Sequence, residues 1–147
     1  MCKAIDVANF IINTIPVDNL KLQKLLFYSQ AVHLVLTKGI PLFSDRIEAW
    51  MYGPVIPSVY KKFKKYGFEQ IPQSQNSTAA LSEAEIKSIN IVIGFYGNMS
   101  GVQLIARTHA ESPWQDAYVQ GKRNILISNK SIYNYFKDAF EFEEDKI

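Results

Sequence analysis

Apolar residues recur along this chain mostly at helical spacing. Residues 3–13 place Ala4, Val7, Phe10 and Ile11 on one face, and Pro16 stops the pattern. Asp18 is the expected N-cap of a second helix running to about Thr37, with Gly39 placed to end it. Leu22, Leu25, Leu26, Ser29 and Val32 or His33 form its inner stripe, which leaves Gln23 and Lys24 toward the outer side. A third helix follows Pro57, with Val59, Tyr60, Phe63 and Tyr66 on one face and Gly67 as its stop. Ser82-Glu83-Ala84-Glu85 is a capping box and predicts a helix through Ile86, Ile89, Val92, Ile93 and Tyr96, ended by Gly97. Ser100 caps a short helix to about His109, and Ser112 followed by Pro113 predicts a further start. The last helix begins near Asn129 and presents Ile132, Tyr135, Phe136 and Phe140.

Two segments read instead as strands. From Arg46 to Tyr52, Ile47, Ala49 and Met51 alternate with Glu48, Trp50 and Tyr52. From Asn124 to Ser128 there is a short apolar run. Their pairing would give a small two- or three-stranded β element in a compact, mainly α, single-domain fold spanning residues 1–147. Gln70 to Ala80, rich in Gln, Ser, Asn and Thr, reads as a surface loop between two halves of that domain.

Composition changes this picture little. The chain has 147 residues, 48% apolar and 20% charged, a globular rather than disordered balance. Its 13% aromatic content can fill a core and also build a contact surface. The net charge of +2 makes no general case for nucleic acid or membrane binding. The distribution is uneven: residues 1–73 carry nine Lys/Arg against five Asp/Glu, and residues 74–147 carry seven against nine. No stretch approaches the roughly 20 apolar residues of a membrane span, and the first ten residues lack a secretory build. With one cysteine, Cys2, and hence no internal disulfide, the expected location is the cytoplasm.

Candidate chemistry is sparse. Cys2, His33 and His109 lie far apart, with no CxxC or HExxH, so no metal site is expected. The glycines follow neither a phosphate-loop nor a dinucleotide spacing, and no cofactor is expected. His109, Glu111 and Ser112 would be the members of a hydrolytic set, but closeness in sequence does not make them converge, and Ser112 has a simpler use as a cap. Lys61, Lys62, Lys64 and Lys65 interleave with Phe63 and Tyr66, a pattern that can grip nucleic acid. At helical spacing they form a solvated face opposite the apolar stripe. Trp50, Tyr52, Gly53, Pro54 and Pro57 mark a strand running into a corner. Either the two aromatics pack beneath that corner or they remain outside as interface anchors.

Three blocks carry a family resemblance. Leu20 to Ala31 is similar to the "KLQKLLYYAQ" helix of the SocA-like antitoxin family, the Panacea domain, which includes many phage-associated proteins. Ile47-Glu48-Ala49-Trp50-Met51-Tyr52-Gly53-Pro54-Val55-Ile56-Pro57, with Val59-Tyr60, Phe63 and Tyr66-Gly67, resembles its "IEAWKYGPVVPxVYxxFKxYG" signature. Leu104 to His109 with Ser112-Pro113-Trp114 resembles "LSxxTHxxxPW". Met51 stands where members often have Lys, and Ala106 and Arg107 replace the residues usual before Thr-His.

The resemblance implies a binding protein rather than an enzyme. It would neutralise a cognate toxin encoded in an adjacent gene, and in one branch of the family it would deliver that toxin to a Clp-type AAA+ protease as a proteolytic adaptor. The acidic tail from Glu141 to Ile147 is a candidate docking segment for such a protease. Gln23, Lys24, Trp50, Tyr52, Gly53, Pro54, His109, Pro113 and Trp114 are the signature residues, to be assigned either to the partner interface or to the scaffold. The alternative is a nucleic-acid-binding regulator of a phage or mobile element using the Lys61–Lys65 helix.

Overall fold

A computed structural model describes residues 1–73, 75 and 81–140. Most of the Gln70–Ala80 loop and the Glu141–Ile147 tail lie outside these residues. The described elements are α1 (Ala4–Thr14), α2 (Asn19–Leu36), β1 (Glu48–Trp50), β2 (Gly53–Val55), α3 (Pro57–Phe63) continued by a 3-10 turn (Lys64–Tyr66), α4 (Glu83–Tyr96), α5 (Gly101–His109), α6 (Ser112–Ala117) and α7 (Asn129–Ala139). No single described helix is long and apolar enough to cross a membrane.

The expected caps are present because each needs only local atoms. Asp18 accepts the Lys21 amide at 2.8 Å, Ser82 and Glu85 close a reciprocal box, and Ser100 and Gln103 close another. At α6 the expectation needs correcting. Glu111, not Ser112, adopts the extended cap conformation, and Pro113 is the second helical residue. Proline is compatible with the first turn because those amides lack intrahelical partners, so it does not fix the start to one residue.

α2 is the axis of the fold. The others pack around it, and α1, α3, α4, α5, α7 and β2 all touch it. Leu22, Leu25, Leu26, Phe27, Tyr28, Ala31, Val32 and Leu34 supply its part of the core. Tyr28 stacks on Tyr96 of α4 at 4.1 Å between centroids, and Phe27 meets Phe136 of α7 edge-on at 5.8 Å. The inner-stripe reading proves too narrow, since Gln23, Lys24 and Gln30 are buried as well, and both Val32 and His33 rather than one of them. A helix buried on all sides cannot show one apolar face.

Most buried polar side chains of α2 bind a partner on another part of the chain, whereas the Ser29 hydroxyl donates to the Leu25 carbonyl of α2 itself. Gln30 accepts from the Leu42 and Phe43 amides at 2.8 and 3.2 Å and donates to the Phe43 carbonyl and to Asn129 Oδ1. The His33 ring lies 2.8 Å from the Ser88 hydroxyl on α4. Outside α2, Asp45 accepts from the Ala4 amide and from the Ser58 hydroxyl, holding the start of α1 to α3.

The sheet differs in part from expectation. β1 stops at Trp50, turns through Met51 and Tyr52, and pairs antiparallel with β2, so that Trp50 faces Gly53 and Ala49 faces Pro54. Strand alternation therefore does not extend to Tyr52. Gly53 takes φ +107, a conformation glycine adopts freely. On the other edge of β1 the expected pairing with the 124–128 run occurs as a bridge, with Ala49 N–H donating to Ile125 and Ile127 N–H to Ile47.

Candidate functional site

The three signature blocks converge where the N-terminal half of α2, the β1–β2 hairpin and the α5–α6 corner meet. Gln23 Oε1 accepts the Ile56 amide at 2.9 Å, and its amide donates to Asn19. Lys24 is fully buried, and its Nζ donates to the Pro54 carbonyl at 3.2 Å. Burial pushes its amine down to about 7, against a weaker opposing pull from Asp18. A Cβ on Gly53 would lie 2.8 Å from both Lys24 Cε and Thr108 Oγ1, so the hairpin backbone lies directly on α2 and α5.

The α5–α6 corner closes this arrangement from the other side. Trp114 Nε1 donates to the Trp50 carbonyl at 2.8 Å. Its ring is sandwiched between His109 at 3.9 Å and Tyr118 at 4.7 Å. His109 Nε2 is buried without a hydrogen-bond partner among the described residues. Burial lowers the imidazole's pKa, and the nearby Lys24 charge acts in the same direction, while the Met51 carbonyl favours the charged ring. Pro113 is buried beneath the corner.

Glu111 and His109 serve different surroundings. The Glu111 carboxylate accepts the buried Tyr28 hydroxyl at 2.8 Å, and burial pushes its pKa up to about 7. Neither it nor His109 lines the groove described next, and Ser112 occupies the first helical position of α6. The convergence that a hydrolytic set requires is thus not formed at that groove. Among the described residues no group of His, Cys, Asp and Glu is arranged to hold a metal ion.

Outside the buried signature lies a groove of about 520 Å³. Its walls include Trp50, Tyr52, Tyr60, Phe68 and Tyr118, with Lys24 in the lining. Met51, Tyr52 and Phe68 are 58%, 60% and 86% exposed, yet all three line this one groove. Trp50 is held in place. Its Nε1 is shared between Glu48 Oε1 and the Arg123 carbonyl, Tyr60 meets its ring edge-on, and the Arg123 guanidinium lies 4.5 Å over it.

The signature therefore divides in two. Gln23, Lys24, Gly53, Pro54 and Pro113 are buried, and Trp50, His109 and Trp114 are half-buried. Tyr52 is the member left open. Gln23 and Lys24 do not lie on an outer helix face; polar capture of the hairpin backbone accounts for their burial. Lys61, Lys62, Lys64 and Lys65 are exposed as expected, and Lys64 also reaches the groove. Phe68, Tyr118, Lys122 and Arg123 were not apparent from sequence. An aromatic directly after the helix-stopping Gly67 is the one local signal, because no apolar stripe continues there to bury it.

Comparison with known proteins finds the family model described as "Antitoxin SocA-like, Panacea domain" matching residues 22–115, a span that holds all nine signature residues. The chain is 34% identical over 143 residues to a protein named Antitoxin SocA from Caulobacter vibrioides (strain NA1000 / CB15N), covering 88% of this chain and 75% of that one. No solved structure matches the chain.

Proposed function

Because the chain belongs to the SocA-like antitoxin family of Panacea domains, we propose that it is the antitoxin of a toxin–antitoxin pair and neutralises its cognate toxin by direct contact. The observation that carries this is the groove, where Met51, Tyr52 and Phe68 stand exposed together over a rigid signature scaffold. Large apolar side chains gathered in one exposed depression are the usual mark of a protein-binding surface. Trp50 and Trp114, fixed by neighbours on both sides, supply the stiffness that limits the entropy lost on binding. The protein acts in this reading as a binding module in the cytoplasm, with the toxin encoded beside it.

The test is co-expression with the products of neighbouring genes in a host those products arrest. Growth restored by the full chain, and lost on Tyr52→Ala with Phe68→Ala, supports neutralisation by contact. Failure to relieve the toxicity of every neighbouring product removes the reading. Toxin abundance decides the manner. A steady toxin level means blocking, and a fall that requires a Clp-type protease means delivery to degradation. Recovery of nucleic acid with the purified chain, weakening steeply with salt, would favour a regulator acting through the Lys61–Lys65 face.

A further inference from the structure

The groove is apolar in its walls and of one charge in its ionisable groups. Lys24, Lys64, Lys122 and Arg123 line it, and among the described residues no Asp or Glu does. Among the described residues the ion pair within bridging distance is Arg46–Glu48, so none of these four side chains is paired with a described carboxylate. Lys24 is committed to the Pro54 carbonyl, which leaves Lys64, Lys122 and Arg123 as the exposed rim. Arg123 is the best placed of them. The Trp50 ring beneath its guanidinium and the Trp50 indole on its carbonyl hold it, and the residue remains exposed. Uncompensated cations around an apolar depression cost free energy through self-repulsion, and a complementary ligand recovers it.

We propose that the groove seats a segment of the partner protein in which a large apolar side chain is flanked by carboxylates. The apolar side chain enters between Tyr52 and Phe68, and the carboxylates meet Lys64, Lys122 and Arg123. This rests on the antitoxin reading for the occupant being a protein. The groove volume lies within the roughly 300–1,000 Å³ typical of pockets that bury a compact apolar group. A single-stranded nucleic acid fits less well. Base stacking needs open ring faces, and Trp50 is covered by Arg123 and Tyr118 by Trp114, which leaves Tyr52 and Phe68 as the exposed rings of the groove.

The test selects random dodecapeptides displayed on phage against the intact chain. Synthesised binders, and oligo-dT, are then titrated against wild type, K64E/K122E/R123E, Y52A/F68A and the remote charge reversal K130E. Binders enriched in Asp and Glu around Trp, Leu or Phe are expected. Their affinity falls by about tenfold or more in the first two variants and is unchanged in K130E. Matching circular dichroism and melting temperatures show that the variants remain folded. A selection without acidic bias or without any binder overturns the proposal, as do peptides that bind the charge-reversed chain equally well. Oligo-dT binding tighter than any peptide overturns it in favour of nucleic acid. The two readings fail separately. If wild type and K64E/K122E/R123E protect equally against a toxin, the antitoxin reading stands and the groove assignment falls. If acidic peptides bind the groove and no toxin is neutralised, the reverse holds.

Discussion

Trp114 Nε1 donates to the Trp50 carbonyl at 2.8 Å across 64 residues of sequence, so α6 is fastened to the end of β1 by its own indole. This bond sets the half-buried wall behind the groove. Trp114→Phe keeps a ring between His109 and Tyr118 and removes the donor. A loss of about 1–2 kcal/mol in urea unfolding is expected, with toxin binding weakened through displacement of Trp50. An unchanged unfolding midpoint would show that the bond contributes nothing net.

Gly53→Ala is expected to cost about 2–4 kcal/mol. The φ of +107 strains any L side chain, and the added methyl would meet Lys24 Cε and Thr108 Oγ1 at 2.8 Å. Thermal unfolding measures the loss, and amide exchange of the Gly53–Ile56 segment shows whether the hairpin has lifted from α2.

Lys24 and Glu111 give stability a pH dependence of opposite sign. Glu111 is raised to about 7, so below that pH the folded chain keeps a proton that the unfolded chain has released from about 4.5 upward. Its contribution is therefore present at acid pH and lost as pH rises through this window. Lys24 is lowered to about 7, so above that pH the unfolded chain holds the extra proton and stability rises. The rise continues to about 9, where Cys2, kept as a thiol by burial, begins to act the other way. Each group gives at most about 1.4 kcal/mol per pH unit. His33 and His109, both lowered by burial, oppose Glu111 on the acid side, so the readout is a difference between variants. Subtracting the E111Q profile from wild type should leave a fall between about 4.5 and 7, and subtracting K24M should leave a rise above 7. Flat differences would show that neither side chain titrates as its burial requires.

Gln30→Leu would leave the Leu42 and Phe43 amides and the Phe43 carbonyl without their partner inside the fold. A loss of about 3 kcal/mol is expected. Hydrogen exchange at Leu42 and Phe43 should accelerate more than at Leu104, which lies in α5.

Helices with local start and stop signals could be read directly from sequence. Asp18, Ser82 and Ser100 cap within three residues of themselves, and Gly97 stands at the end of α4. The hairpin was harder. Pro54 argues against a strand, because proline cannot donate to a ladder, yet here it sits in the outer strand of a two-stranded pairing with its carbonyl turned to Lys24. α2 reads as amphipathic in the sequence because apolar periodicity ignores polar side chains that become buried by binding backbone. The family blocks located Trp50, Tyr52 and Trp114, but no rule of spacing joins Phe68, Tyr118 and Arg123 to them. That juxtaposition exists only after the chain has folded around α2.

The grip of α2 on the hairpin runs through main-chain atoms: Gln23 holds the Ile56 amide and Lys24 the Pro54 carbonyl. Neither bond depends on which side chains the turn between the strands carries. The path of the loop is thereby decoupled from the identity of Met51 and Tyr52. Under the proposed reading of the groove, a lineage can exchange those two positions, and with them the partner recognised, while leaving the scaffold that presents them intact.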